Sequence, residues 1–284
     1  MNRSFLYAGV FSFLVIFFSC SDGSKSTILT GHMSGYDNET RERKYLRDEL
    51  REISGLIFLN DGQKFASIND EEGKIYISDY SNKDTTTSFE FAPKGDFEAI
   101  TMDGKYFYVL ESRGRIYKVP RPGIEDTVII FKMGLKNADF EAMYMDSANK
   151  RLVLLCKSCP DYERNKTKPV FCFDLTTNQF NEQPCFVIDV KKARKLLKND
   201  VFAAKPSDAA IHPKLNKLFI VCSQDGKGLL ICDLEGNIEQ AIYLDEALFP
   251  QPEGITFAPN GDMYISNEGL YQPGSIVHYP YKRR

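Results

Sequence analysis

Short apolar runs in alternating register recur along this chain, each about five residues long and bounded by Gly, Asn, Asp or Pro. The clearest are Lys64-Phe-Ala-Ser-Ile68, Tyr106-Phe-Tyr-Val-Leu110, Arg151-Leu-Val-Leu-Leu155, Leu218-Phe-Ile-Val-Cys222 and Met263-Tyr-Ile-Ser266. A period of two with β-branched and aromatic residues predicts strands. Each run follows a turn cluster: Asn60-Asp-Gly, Asp103-Gly, Asp146-Ser-Ala-Asn149, His212-Pro-Lys-Leu-Asn216 and Pro259-Asn-Gly261. Before each turn lies another strand that opens on an acid: Glu52-Ile-Ser-Gly-Leu-Ile, Glu98-Ala-Ile-Thr-Met, Glu141-Ala-Met-Tyr-Met, Asp208-Ala-Ala-Ile-His and Glu253-Gly-Ile-Thr-Phe. These acids stand 46, 43, 67 and 45 residues apart.

A period near 45 with about four strands per unit is the pattern of a β-propeller, whose blades bury their faces only against one another. The expected fold is all-β, a propeller of five visible four-stranded blades, with a sixth degenerate blade as the alternative. Third strands read from Gly73-Lys-Ile-Tyr-Ile-Ser, Gly114-Arg-Ile-Tyr-Lys-Val, Val170-Phe-Cys-Phe-Asp and Gly228-Leu-Leu-Ile-Cys-Asp; weaker fourth strands read from Ser88-Phe-Glu-Phe and Thr127-Val-Ile-Ile-Phe131. The long interval carries Lys191-Lys-Ala-Arg-Lys-Leu-Leu-Lys-Asn199, a short helix inserted before the fourth repeat, its basic face solvated or capping one end of the axis. The last unit runs out after its third strand. Residues around Tyr45–Leu50 are expected to add the outer one and close the ring.

The first twenty residues break the pattern. Arg3, an apolar core from Phe5 to Phe18 and Phe17-Phe-Ser-Cys20 resemble a bacterial lipoprotein signal, too short to span a bilayer. The expected organisation is a signal peptide over 1–20, a tether over 21–38 and one propeller domain over 39–284. Cys20 carries the lipid, so the protein sits at the bacterial cell envelope, periplasm-facing or surface-exposed. An ordinary cleaved secretory signal is the alternative. Net charge is −3 with no basic run, which speaks against a nucleic-acid partner. Six further cysteines can pair in an exported chain. Cys156-Lys-Ser-Cys159 lacks a second CxxC or nearby His for zinc and lacks a βαβ context for redox catalysis, so a structural pair or plain burial is expected.

Strand polarity puts the start of each first strand and the end of each second strand on one rim. That rim gathers Glu52, Glu98, Glu141, Asp208 and Glu253 with Asp70, Glu111, Lys157 and Glu268. Asp96 and Asp139 add a second acid in Asp-Phe-Glu-Ala, and Arg113 adds a cation. Carboxylates this close need protonation, a neighbouring Arg or Lys, or a bound cation. Oxygen donors without soft ligands suit a hard ion, calcium before magnesium. The three histidines, His32, His212 and His278, fall outside the pattern, against zinc or copper. Strand-capping acids around a solvated tunnel are the alternative.

Seven segments in order carry a family resemblance: Leu50-Arg-Glu-Ile-Ser-Gly-Leu, Asn69-Asp-Glu-Glu-Gly-Lys-Ile-Tyr, Gly95-Asp-Phe-Glu-Ala-Ile, Tyr108-Val-Leu-Glu-Ser-Arg-Gly-Arg-Ile-Tyr, Asn137-Ala-Asp-Phe-Glu-Ala-Met, Lys205-Pro-Ser-Asp-Ala-Ala-Ile-His-Pro and Gln251-Pro-Glu-Gly-Ile-Thr-Phe-Ala-Pro-Asn-Gly-Asp-Met-Tyr-Ile-Ser-Asn-Glu-Gly. With them the chain resembles the SdiA-regulated family of YjiK/CarP-like propellers from about Tyr45 to Tyr281. The resemblance implies an envelope propeller linked to calcium and distantly like phytase-like propellers, without a settled activity. It carries over to Glu52, Glu98, Glu141, Asp208 and Glu253, with Asp70, Glu111, Lys157 and Glu268 around them; Asp208 departs from the pattern by replacing Glu.

Three functions compete. The first is a lipid-anchored module that binds calcium or a small polar ligand at the acidic mouth and recruits an envelope protein. The second is a metal-dependent hydrolase of phosphoesters or lactones, with Glu98 or Glu141 as general base. It has few cations for phosphate and no Gly-x-Ser-x-Gly nucleophile elbow. The third is an interaction scaffold using the propeller face.

Overall fold

The computed structural model describes residues 33, 35–60, 64–135, 137–159 and 166–282. Residues 1–32, on which the expected signal peptide, Cys20 and His32 fall, lie outside the described residues. Five antiparallel sheets form five blades. Blade 1 is β2 (Ile53–Leu59), β3 (Lys64–Asn69), β4 (Lys74–Asp79) and β5 (Thr87–Glu90). Blade 2 is β6 (Phe97–Met102), β7 (Tyr106–Glu111), β8 (Arg115–Pro120) and β9 (Ile129–Lys132). Blade 3 is β10 (Asp139–Asp146), β11 (Arg151–Ser158) and β12 (Thr167–Asp174), with β13 (Gln179–Phe180) and β14 (Phe186–Asp189) sharing its outer position. Blade 4 is β15 (Lys205–Ile211), β16 (Leu218–Gln224), β17 (Gly228–Cys232) and β18 (Ile238–Tyr243). Blade 5 is β19 (Pro252–Phe257), β20 (Met263–Asn267) and β21 (Ser275–Tyr279), completed by β1 (Glu42–Tyr45) from the other end of the chain. The innermost strands touch in the cycle β2, β6, β10, β15, β19 and back to β2, so the ring closes at five.

Among the described residues the long interval holds no sixth blade. It is filled by β13, β14 and the helix α1 (Val190–Leu197), whose Asp189 cap accepts the amides of Lys191 and Lys192. Val190, Ala193 and Leu197 of this helix are buried between blades 3 and 4, against β12 and β18. It therefore packs on the flank of the ring and does not cap the axis.

Five apolar clusters fill the five seams between blades. The phenylalanine of each Asp-Phe-Glu-Ala copy is such a wedge. Phe97 packs edge-on to Phe91 and Tyr117, and Phe140 edge-on to Phe171. A fully buried aromatic of this size stabilises by ~2–3 kcal/mol.

The last seam is closed by the N-terminal segment. Residues 42–45 of β1 pair in register with 275–278 of β21. Packing begins earlier than the tether boundary at 38 implies, with Met33 and Tyr36 buried against blade 5. The Tyr36 hydroxyl donates to the Gly261 carbonyl at 2.6 Å and lies 2.7 Å from His212 Nε2. His212 Nδ1 accepts two backbone amides, of Lys214 and Leu215, which assigns the ring proton to Nε2. Burial pushes the His212 pKa down to about 4, so it is neutral and structural. Tyr36→Phe strands the His212 donor and the Gly261 acceptor. It is expected to cost about 2 kcal/mol in denaturant unfolding with the fold intact; an unchanged midpoint would show that water replaces the hydroxyl.

Candidate functional site: an acidic axial mouth

At one end of the axis the ladder between first and second strand is irregular in every blade. Ile53 faces Asn69 while Gly55 faces Ile68; Phe97 faces Glu111 while Ala99 faces Leu110. Phe140 faces Cys156 while Ala142 faces Leu155, Pro206 faces Cys222 while Asp208 faces Val221, and Pro252 faces Asn267 while Gly254 faces Ser266. One residue is extruded each time, as in a β-bulge, which aims a side chain away from the ladder. The extruded residues are Ser54, Glu98, Glu141, Ser207 and Glu253. They form the inner ring of the mouth.

The register differs from the repeat seen in the sequence. Glu52 is not the counterpart of Glu98. It stands two residues before the extruded Ser54, level with Asp96 and Asp139, and is exposed. Asp208 stands one residue after the extruded Ser207, level with Gly55, Ala99, Ala142 and Gly254. There it is buried, and its carboxylate accepts the amides of Ala209 (2.8 Å) and Ile255 (2.7 Å), joining blades 4 and 5. Burial holds its pKa well above the ordinary value. The serines do similar work: Ser54 Oγ donates to the Phe97 carbonyl (2.6 Å) and Ser207 Oγ to the Pro252 carbonyl (2.7 Å) of the next blade. Close approach at the axis explains the small residue that follows. A Cβ on Gly55 meets the Ile100 backbone nitrogen at 3.0 Å, and one on Gly254 meets Ser266 Oγ at 2.4 Å.

The second ring, at the ends of the second strands, is Asp70, Ser112, Lys157, Ser223 and Glu268. Asp70, Lys157 and Glu268 were legible in the sequence, whereas Ser112 takes the position expected for Glu111. Glu111 turns into blade 2, where its carboxylate accepts from Arg115 and from the Tyr117 hydroxyl. Ser112 donates to Asp96 at the rim end of the same blade. Arg113 is exposed on the following turn.

Glu98, Glu141 and Glu253 come from blades 2, 3 and 5, yet they act on one another, which places them around the axis. Burial, then Glu141, Asp96 and Glu253, push Glu98 up to about 9. Burial and then Glu141 push Glu253 up to about 8. Glu141 is raised by burial to about 7, with Lys157 pulling it down. Burial works against the Lys157 charge, but Glu141, Glu253 and Asp139 outweigh it and raise its pKa. Lys157 Nζ pairs directly with Glu141 Oε1 and is the cation of this cluster. A second group joins it through Glu253 and Glu268. There Asp70 is raised to about 6 by burial, Glu52 and Glu71, and Glu268 is raised by burial, Asp70 and Glu52. Asp70 Oδ1 is buried without a partner.

The donor set is all oxygen, as a hard cation requires. Its placement is another matter. Among the described residues no three His, Cys, Asp or Glu side chains converge closely enough to hold a metal ion, and the Lys157 ammonium lies against Glu141. The mouth as arranged is a lysine among proton-sharing carboxyls. Cys156 and Cys159, which flank it, form a disulfide, and Cys172 pairs with Cys185.

A family model described as SdiA-regulated matches residues 32–271, most of the chain. The chain belongs to the SdiA-regulated family. No curated protein matches it. Among solved structures, SdiA-regulated residues here superpose on propellers of distant sequence. A luciferin-regenerating enzyme is similar at 12% identity and TM-score 0.52, with 84% of this chain and 95% of that one covered. A gluconolactonase from Xanthomonas campestris gives 9%, 0.52, 87% and 91%. A glutaminyl cyclase from Myxococcus xanthus gives 13%, 0.52, 86% and 98%. At these identities the likeness is one of fold.

Proposed function

We propose that this SdiA-regulated propeller is a binding module of the bacterial cell envelope, anchored by lipid at Cys20, that takes a small polar ligand into its acidic axial mouth. The carrying observation is the convergence of Glu98, Glu141 and Glu253 from three blades on Lys157. Four groups there offer both donors and acceptors at neutral pH: two carboxyls that keep their protons, one near half-ionised, and one ammonium. Such a set suits a ligand rich in hydroxyl or amino groups. The unpartnered Asp70 Oδ1 supports the same reading, since a buried polar atom without a partner costs stability. Recruitment of an envelope protein by the ligand-bound face extends this proposal.

Calcium is the second reading, favoured by the excess of carboxyls over cations and the all-oxygen donors. A cation has to displace protons from Glu98 and Glu253, so its affinity rises with pH, by up to about tenfold per unit for each proton released. Hydrolysis of a lactone or phosphoester is less well supported. Glu98 is protonated at neutral pH and is unsuited to act as a base, and Glu141 is tied to Lys157.

Calorimetry and thermal shift at pH 6 and pH 8.5, with calcium chloride and a panel of polyols, sugars and polyamines, test these readings. Saturable binding lost in Glu98→Gln/Glu141→Gln is the expected result. Calcium binding that strengthens at pH 8.5 selects the metal reading; no binding by the folded protein overturns both. Turnover of a lactone or phosphoester panel would revive the hydrolase.

A further inference from the structure

Lys157 lies inside the loop of a disulfide. Its neighbours Cys156 and Cys159 are bonded to each other, both buried, in the sequence Cys156-Lys-Ser-Cys159. The other positions of the second ring, Asp70, Ser112, Ser223 and Glu268, have no such clamp.

The disulfide sits where the strand's pairing is interrupted. β11 pairs with β12 only as far as Leu155, opposite Val170. The start of β12 carries β14 on its opposite, outer edge, with Thr167 opposite Asp189 and Pro169 opposite Val187, and the register with β11 stops at Val170. On the other side the ladder to β10 skips Lys157, because Phe140 faces Cys156 and Asp139 faces Ser158. Lys157 is thus extruded from one ladder and has left the other. Its carbonyl accepts from Lys168 Nζ (2.7 Å), its ammonium pairs with Glu141, and the disulfide spans it.

We infer that the Cys156–Cys159 disulfide positions Lys157 at the mouth, and that its reduction frees the lysine and leaves the mouth without its cation. The inference concerns the bare protein and stands whether or not the mouth takes the ligand proposed above. The reductant is an external dithiol. Its thiolate attacks Sγ of Cys159, the less buried of the two residues, and the Cys159–Cys156 bond breaks. Cys156 leaves as a thiolate and takes a proton. The second thiol of the reductant then displaces Cys159, so two electrons and two protons pass to the protein and the reductant becomes a disulfide. The groups that lose their cation are Glu141 and Asp139 on β10 and Glu253 on β19.

The test is acetylation of lysines by an amine-reactive ester at pH 8, read by peptide mass spectrometry on the folded protein. Lys94, far more exposed, serves as the internal standard. In the oxidised protein Lys157 is shielded and paired. Reduction with dithiothreitol should raise its rate at least tenfold relative to Lys94, as should Cys156→Ser/Cys159→Ser. Cys172→Ser/Cys185→Ser should leave it slow until dithiothreitol is added, separating the two disulfides. If the first double variant does not fold, the reduced Cys172→Ser/Cys185→Ser protein gives the answer alone. An equal Lys157 rate in oxidised and reduced folded protein overturns the inference.

Discussion

Replacing Lys157 by Met should destabilise the protein by about 3 kcal/mol at pH 8 and by much less at pH 5. The ammonium is paired with Glu141, and both side chains are largely buried, at 14% and 11% exposure. Removing one partner of a buried pair leaves the other charge uncompensated, which costs ~3–5 kcal/mol where burial is complete. Glu141, already pushed up to about 7 by burial with Lys157 present, rises further once the lysine is gone. At pH 5 it is then protonated and no charge is stranded. Denaturant unfolding at the two pH values checks this. An equal loss at both would mean that Lys157 acts through its methylenes and not through its charge.

Glu98→Gln should do the reverse. The carboxyl ionises near 4.5 in the unfolded chain and at about 9 in the fold, so the folded state holds the proton more tightly. Stability from this group is complete below about pH 4.5, is lost as pH rises, and levels off above about 9. At pH 7 the cost is on the order of 2–3 kcal/mol. Glutamine matches the protonated shape without a proton to lose. The variant should therefore melt roughly 5 °C higher at pH 7 and flatten the fall in melting temperature between pH 6 and 9. Glu253, at about 8, keeps part of that fall in place. A melting point unchanged at every pH would show that Glu98 is solvated when ionised.

These two side chains were legible in the sequence, and so was the ring that holds them. Alternating runs such as Tyr106–Leu110 and turns such as Asp103-Gly fix the hairpins locally. The 45-residue period does the rest, because blades of one size pack seam to seam. What the period conceals is register. Aligning the repeats on their acids makes Glu52 the partner of Glu98, whereas the ladder places Ser54 there. A bulge leaves no mark in the hydrophobic pattern. The usable signal was the small residue after it, Gly55, Ala99, Ala142 and Gly254, which the narrow axis demands. Asp208 breaks that series: its place in the repeat marks it as a mouth acid, whereas its carboxylate bridges two backbones in the interior. Glu111 misled for a related reason. Ladder pairing opposite Phe97 gives it to blade 2, and the next residue, Ser112, turns to the mouth.

The Tyr36 contact with Gly261 and His212 has a directional consequence. Both partners lie in turns between first and second strands, at the opposite end of the axis from Glu98 and Lys157. From there β1 climbs the outside of blade 5, Glu42 beside His278 at the far end and Tyr45 beside Ser275 at the mouth end. The chain therefore enters the propeller through its floor. Under the proposal of a lipid at Cys20, the folded ring would be tethered from its base, with the rim left open.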